Sequence, residues 1–197
     1  MDLRDIYSVL GMIGLLTFSG YVSVSAQTKE PIDEDIILNQ LNAQERNLIL
    51  HQAGQDVTNS SIIRQIGDEN KAGIKQEHTG GNEPNEVVLL QDGDGNTVDI
   101  DQRGENNTSK TIQKGDYNTQ KQKVRGSDIR SVLYQEGDYN NVDQDLKGED
   151  MHHVIIQEGD YNEVIQIEDS DKTQAPKYQL RQEGSGMKVF IKQSKIY

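Results

Sequence analysis

The side chains that most often carry chemistry occur in this sequence in patterns that do not complete a site. The segment DGDGNTVDID at 92–101 is similar to a calcium loop, but Thr97 stands where an EF-hand needs glycine and Arg103 where it needs glutamate. His152 and His153 are adjacent, so on a strand they point to opposite faces and cannot chelate one metal ion. We expect no metal site and no cofactor.

Catalytic chemistry and nucleic-acid binding are disfavoured on similar grounds. Carboxylates are abundant, but no nucleophile–base–acid constellation recurs, and the acidic residues occupy positions expected in turns or on outward faces. The absence of Cys excludes a thiolate nucleophile, a thiolate metal site and a disulfide framework. A net charge of -13 argues against a nucleic-acid partner, which needs a basic surface. We expect no enzymatic activity.

The residues that do recur are amides and glycine, in a unit that appears six times between residue 59 and the end of the chain. Each unit reads Asn, five residues, Gln, one residue, Gly, two residues, Asn, five residues, Gln. The Gln column is Gln65, Gln91, Gln113, Gln135, Gln157 and Gln182. The Gly column is Gly67, Gly93, Gly115, Gly137, Gly159 and Gly184. The Asn column is Asn70, Asn96, Asn118, Asn140 and Asn162, and Met187 breaks it in the last unit.

The second half of the unit is less regular. The closing column reads Gln76, Gln102, Val124, Leu146, Glu168 and Gln193. The opening column reads Asn59, Asn85, Asn107, Ile129, Met151 and Pro176. Two insertions, around 80–84 and 170–175, fall between units, where loops tolerate extra length. A fixed register of this kind is typical of a repeat architecture.

The pattern inside each unit predicts strands joined by tight turns. In residues 85–91 one face carries Asn85, Val87, Leu89 and Gln91, and a period of two is that of a β-strand. The residues between Gln and Asn are rich in Gly, Asp and Asn, which favour turns. We therefore predict an all-β fold, a β-solenoid of six stacked strand–turn–strand units that is amyloid-competent and about 29 Å long at roughly 4.8 Å per unit.

The predicted core is a thin seam between two sheets about 10 Å apart, with Asn and Gln ladders at its ends. The predicted inward residues are Ser61, Ile63, Ala72, Ile74, Val87, Leu89, Val98, Ile100, Ser131, Leu133, His153, Ile155, Leu180, Val189 and Ile191. The constant Gly column indicates a backbone conformation that disfavours a Cβ. A disordered polar repeat is the alternative, since only 32% of residues are hydrophobic, but disorder requires neither a register nor alternation.

Residues 1–26 are typical of a secretory signal peptide. An apolar stretch from Val9 to about Phe18 follows a short head, and Val24, Ser25 and Ala26 fit a cleavage site before Gln27. A membrane anchor is the alternative, but the apolar stretch is short and interrupted by Gly and Ser. Residues 27–58 would be a flexible segment, a short helix or a degenerate repeat unit, and residues 59–197 the six repeats.

The repeat Asn/Ser-x5-Gln-x-Gly-x2-Asn-x5-Gln resembles the curlin repeat of curli, the functional amyloid fibres of bacterial biofilms, over residues 59–197. The resemblance implies a β-solenoid subunit that is exported through an outer-membrane channel with accessory factors. It also implies polymerisation with itself and other curlin-like subunits on the cell surface, as a major or a minor, nucleating subunit. Curlin ladder roles carry over to the Gln, Gly and Asn columns, and poorly to positions such as Val124, Ile129 and Glu168.

An open end explains why such a solenoid would polymerise. Unpaired strand edges template further strands, and an uncapped end-to-end contact gives an open filament. We expect an extracellular, cell-surface fibre subunit that functions in adhesion and biofilm. The alternative is a monomeric secreted β-solenoid adhesin, with residues 27–58 as its cap.

The last repeat carries a net positive charge, whereas the rest of the chain is acidic. Residues 176–197 carry five cations against Glu183, a net charge of +4, whereas residues 27–175 carry -16. These cations are Lys177, Arg181, Lys188, Lys192 and Lys195. We expect either a docking unit for an acidic neighbour or anionic surface, which in the curlin family resembles the minor subunit, or ordinary solvated edge lysines that blunt aggregation.

Two further columns lie in the turns. The first contains Asp68, Asp94, Asp116, Asp138 and Asp160. Stacked carboxylates repel, so we expect this column to slow assembly, and low pH or divalent cations to speed it, unless the carboxylates serve backbone hydrogen bonds in the turns. The adjacent column contains Tyr117, Tyr139 and Tyr161, which could stack on one another.

Overall fold

The computed structural model describes residues 13–16, 20–26, 59–81, 83–170 and 177–194, all as strands and the turns between them. The strands are β1 (Ile13–Leu16), β2 (Gly20–Ala26), β3 (Asn59–Ile66), β4 (Lys71–His78), β5 (Asn85–Asp92), β6 (Thr97–Glu105), β7 (Thr108–Lys114), β8 (Thr119–Ser127), β9 (Arg130–Glu136), β10 (Asn141–Glu149), β11 (His152–Glu158), β12 (Glu163–Asp169), β13 (Lys177–Gly184) and β14 (Lys188–Ser194). Within these ranges there is no helix of the length and apolarity needed to cross a membrane.

The strands form two seven-stranded sheets that face each other across the predicted seam. One sheet has the order β1-β14-β12-β10-β8-β6-β4 and the other β2-β13-β11-β9-β7-β5-β3. Every pairing between repeats is parallel and in register, so that Asn59 lies beside Asn85 and Gln65 beside Gln91. The predicted all-β solenoid is therefore confirmed. We call the units rung one (β3 and β4) to rung six (β13 and β14).

Strands β1 and β2 extend the two sheets in the opposite direction. β1 pairs antiparallel with β14, and β2 pairs antiparallel with β13. Both strands lie in the segment predicted to be a signal peptide, and they cover the two edges of rung six. The other predicted segment, 27–58, lies outside the described residues.

The core alternates between apolar and polar layers along the stack. Val87, Leu89, Val98 and Ile100 form one buried cluster in rung two. A second, in rungs four to six, contains Leu133, Val142, Ile155, Val164, Tyr178, Leu180, Val189 and Ile191. Between them, the hydroxyl of Thr111 donates a 2.6 Å hydrogen bond to Gln120 in a fully buried position. Ile63, predicted to be inward and buried, is 47% exposed, because among the described strands rung one has a neighbour on one side only.

The sheet that contains β5, β7, β9 and β11 is apolar on its outward face as well. Leu90, Ile112, Val132, Tyr134, Val154 and Ile156 form a cluster in which each residue is at most 6% exposed, although no described strand lies over it. The alternation rule placed these residues outside the core. Their signal in the sequence is the unbroken apolar run, such as VVLL at 87–90, which is typical of strands buried on both faces.

The Gly column follows from how closely successive turns stack. The column is in the left-handed half of backbone space, with φ of 107° at Gly137. A Cβ on Gly137 would lie 2.5 Å from the carbonyl oxygen of Gly159, one rung away. A second column, Gly104, Gly126 and Gly148, has the same property, and a Cβ there would lie 1.7 to 2.1 Å from the next carbonyl oxygen. The repeat unit defined from the sequence does not include this second column, although its members are spaced 22 apart.

We expect Gly137→Ala to lower the free energy of unfolding by about 1–3 kcal/mol, because Ala would be strained at this φ and would displace the next turn. Urea denaturation of the soluble chain measures the loss. The matched control is Gly73→Ala, since Gly73 has an ordinary strand φ and a Cβ there would lie 3.4 Å from the nearest atom, a side-chain oxygen. Equal stability of the two variants would contradict the close-stacking explanation.

Candidate functional site

The Gln column is a continuous ladder of hydrogen bonds along the stack. Each side-chain amide donates to the Gln one rung further on, from Gln65 to Gln91 and so on to Gln182, at 2.7 to 2.9 Å. The members from Gln91 to Gln182 are fully buried. A buried amide has no access to water, so the neighbouring rung supplies the partner that it needs.

The Asn column connects side chains to the backbone of neighbouring turns. Asn118 accepts a hydrogen bond from the backbone N–H of Asn140 at 3.0 Å and donates to the carbonyl of Gly137 at 2.8 Å. Asn85 and Asn107 repeat this arrangement at the opposite edge of the seam. The Asn residues therefore hold each turn onto the next.

The departures from the amide columns have distinct structural outcomes. Val124, Ile129, Leu146 and Met151 pack together as a fully buried apolar cluster that replaces the amides in rungs three to five. At Met187 only the backbone continues the ladder, since its N–H donates to Asn162 at 3.1 Å. Pro176 lies outside the described residues.

Glu168 replaces an amide of the closing column with a buried carboxylate. It is 1% exposed, whereas the acidic residues were expected in turns and on outward faces, so that expectation is wrong at this position. The side chain of Gln166 donates to its Oε1 at 2.8 Å, and the hydroxyl of Tyr178 donates to the same oxygen. The Nε2 of the buried His153 lies 3.2 Å from its Oε2, close enough for an ion pair.

The pKa of Glu168 reflects two opposed effects. Burial disfavours the charged form and would by itself raise the pKa, but the attraction of His153 and the hydrogen bonds from Tyr178 and Gln166 outweigh it, so the pKa lies below its usual range. Burial, and then the charge of Glu168, raises the pKa of Tyr178 well above 10, so this phenol stays a donor. The core of the last rungs thus contains a buried carboxylate with three polar partners.

The Asp turn column forms a ladder as well. Oδ1 of Asp138 accepts a hydrogen bond from the backbone N–H of Asp116 at 2.8 Å, and Oδ1 of Asp160 accepts from Asp138 at 2.9 Å. The same bond joins Asp68 to Asp94 and Asp94 to Asp116. Four of the five carboxylates, those of Asp94, Asp116, Asp138 and Asp160, thus have a backbone partner one rung earlier, and this attraction opposes the repulsion expected between stacked carboxylates.

Three of the five predicted docking cations are engaged within the chain. Lys177 lies 3.0 Å from Asp150, Arg181 lies 2.7 Å from Glu158, and Lys188 lies 2.8 Å from Glu163. All three carboxylates belong to the turn into rung five or to rung five itself. Lys192 is exposed on β14, and Lys195 lies outside the described residues. The basic rung six therefore neutralises the acidic rung beneath it.

The described residues contain no group of three or more His, Asp or Glu placed to hold a metal ion. The repeated polar groups that the structure does show are the ladders along the stack and the strand edges of rung one. Comparisons with models of protein families, with curated proteins and with solved structures find no match.

We expect stability to fall in acid because of Glu168. Its folded-state pKa lies below the unfolded value of about 4.3, so its contribution is present above that pH and is lost as the pH falls through the folded-state pKa. Glu168→Gln should cost about 1–3 kcal/mol at neutral pH and flatten the acid limb of the stability curve. Urea titrations across this pH range measure both effects.

The control is Glu163→Gln, which removes a partly exposed carboxylate from the same strand. Because its partner Lys188 is solvent-exposed, we expect a loss of at most about 1 kcal/mol. If Glu168→Gln left both the neutral stability and the acid limb unchanged, the buried cluster would not have the role assigned to it.

Proposed function

We propose that this protein is a structural subunit of an extracellular curli-like fibre that functions in cell adhesion and biofilm. The observation that supports this is the parallel, in-register pairing of every rung with a near-identical neighbour. A stack of this kind can be continued by another rung with the same pairing, which is how an open filament grows. The curlin-like repeat supports the same function, with export through an outer-membrane channel.

The two ends of the stack differ. At rung one, β3 and β4 are the outermost strands of their sheets, and no described strand pairs with their outer edges. At rung six, β1 and β2 cover both edges. Since these two strands belong to the predicted signal peptide, its removal during export would uncover β13 and β14. Assembly competence would then be linked to export.

A first test compares the chain that begins at Gln27 with the full chain. We expect the shorter chain to bind thioflavin and to give cross-β diffraction at about 4.8 and 10 Å. The full chain should elongate more slowly, because one of its ends is covered. A shorter chain that stayed a random coil by circular dichroism at high concentration would refute the proposed function.

The outward charges bear on which subunit follows rung six. On the sheet that contains β4, one column reads Lys75, Asp101, Lys123, Asp145, Ile167 and Lys192. Opposite charges alternate along its first four positions, which stabilises the stack. Continuing the register into a second copy would place Lys192 beside the next Lys75.

Two other outward columns would also place like charges beside each other at the contact between two copies. Arg181 would meet Arg64, and Lys188 would meet Lys71. Like charges at one rung spacing disfavour the contact between two copies, especially at low salt. A subunit with carboxylates in these columns would fit better. We therefore propose a minor, nucleating role, in which rung six joins a different curlin-like subunit.

A charge-swap cycle tests this junction. In the chain that begins at Gln27, Lys192→Glu should shorten the lag of self-assembly several-fold at low ionic strength, because it turns a repulsive pair into an attractive one. Lys75→Glu should shorten the lag less, because it also places a carboxylate beside Asp101 of its own chain. The double variant should return to the original lag, since two carboxylates again face each other. Lag times that lengthened with each substitution, and most in the double variant, would show that the overall negative charge, rather than the junction, sets the rate.

A monomeric secreted adhesin is the second candidate function. The observation that favours it is the cover that β1 and β2 provide on rung six, since capped solenoids are normally soluble. Analytical ultracentrifugation of the full chain, which keeps β1 and β2, separates the two candidates. A stable monomer under conditions that support cross-β assembly of other chains would favour the adhesin.

A further inference from the structure

The tyrosines of the turn column form an exposed aromatic stack. The ring centroids of Tyr117 and Tyr139 are 5.1 Å apart with 13° between the ring planes. Those of Tyr139 and Tyr161 are 5.0 Å apart with 2° between the planes. All three residues have φ of 56° to 57°, so the same turn presents each ring in the same direction. The stack is thus fixed by the backbone register.

The stack is also accessible to solvent. Tyr117, Tyr139 and Tyr161 are 50%, 48% and 62% exposed, respectively. By contrast, Tyr134 and Tyr178 are at most 5% exposed, and their hydroxyls donate to Glu136 and Glu168. The stack ends at glycine on both sides, because Gly95 and Gly186 occupy the same column in rungs two and six. Among the tyrosines whose side chains the structure describes, three are therefore adjacent and exposed and two are buried.

We propose that this stack is a site of oxidative cross-linking, at which Tyr139 forms a dityrosine bond with Tyr117 or Tyr161. The oxidant is a peroxide used by a peroxidase. Each of two phenols loses one electron and one proton, and the two phenoxyl radicals join through a carbon–carbon bond between ring positions ortho to the oxygens. The hydrogens on those carbons then move to the oxygens, which restores both hydroxyls. The two hydrogen atoms lost reduce one hydrogen peroxide to two waters.

The geometry favours coupling within one chain. Radical coupling is fast when the second ring is already held beside the first, because the two radicals do not have to diffuse together. Adjacent rings here are about one rung apart, and only local movement of exposed side chains is needed to bring ortho carbons together. Tyr117 and Tyr161 are two steps apart, about 10 Å, and cannot couple directly. Tyr139 is therefore required for any bond in the stack.

The consequence is a covalent cross-link between successive rungs. Because each rung otherwise separates by breaking non-covalent ladders, one dityrosine bond would join two rungs permanently. The inference depends on the solenoid register and not on fibre growth, so it holds for the soluble chain and for a filament alike.

The test treats the folded full chain with horseradish peroxidase and hydrogen peroxide at low protein concentration. We expect dityrosine fluorescence, a product of monomer size lighter by two hydrogen atoms, and a cross-linked peptide pair that contains Tyr139. Tyr139→Phe keeps the aromatic stack and should abolish the intrachain bond. Tyr117→Phe should reduce its yield to about half, because one of the two pairs remains.

Tyr134→Phe is the control, since it removes a buried phenol outside the stack and should leave the yield unchanged. Circular dichroism establishes that each variant keeps the β-rich fold. Cross-links found only between chains, or intrachain dityrosine that persists in Tyr139→Phe, would overturn the proposal. Absence of dityrosine from the folded wild-type chain would overturn it as well.

Discussion

Buried amides set the constraint on which the rest of the fold depends. An amide removed from water must find donors and acceptors inside the protein, or it costs about 1–3 kcal/mol. Gln113 accepts from Gln91 and donates to Gln135, so it is satisfied only when both neighbouring rungs are in register. A slip of one residue would turn every inward side chain outward. The in-register stack is therefore the arrangement that satisfies the polar part of the core.

The turns obey the same constraint through backbone groups. Asn118 donates to the carbonyl of Gly137, and the N–H of Asp116 donates to the carboxylate of Asp138 one rung away. These bonds hold successive turns so close that a Cβ at Gly115 would lie 2.4 Å from the oxygen of Gly137. Gly, Asn and Asp in the repeat therefore have one explanation. Each either supplies an inter-rung hydrogen bond or leaves room for one.

Contacts along the stack could be predicted from the sequence, but contacts across the seam could not. The 22-residue period identifies which residue lies above which, and it correctly predicts the parallel pairing and the stacked tyrosines. It gives no information on which side chain of the facing sheet a residue meets. His153 and Tyr178 share one column, and Glu168 belongs to a column of the facing sheet, so their contact could not be read from the repeat. The doubly apolar sheet was missed because alternation assumes one solvated face.

At the ends of the stack, the affinity for a further subunit and the choice of that subunit depend on different groups. Within the part of the chain that the structure describes, Gln182 has no Gln beyond it in the column, and its side chain donates to the carbonyl of Met187, at 3.2 Å, in its own rung. Any solenoid rung with a Gln in this column could accept that amide instead, and strand edges pair with little regard to sequence. The ladders therefore permit many partners. The outward columns discriminate among these partners. Lys192 would be repelled by the lysine that a second copy places beside it, and a partner with a carboxylate at that position would attract it. In this fold, hydrogen bonds at the seam give cohesion, and surface charge determines which subunit is added.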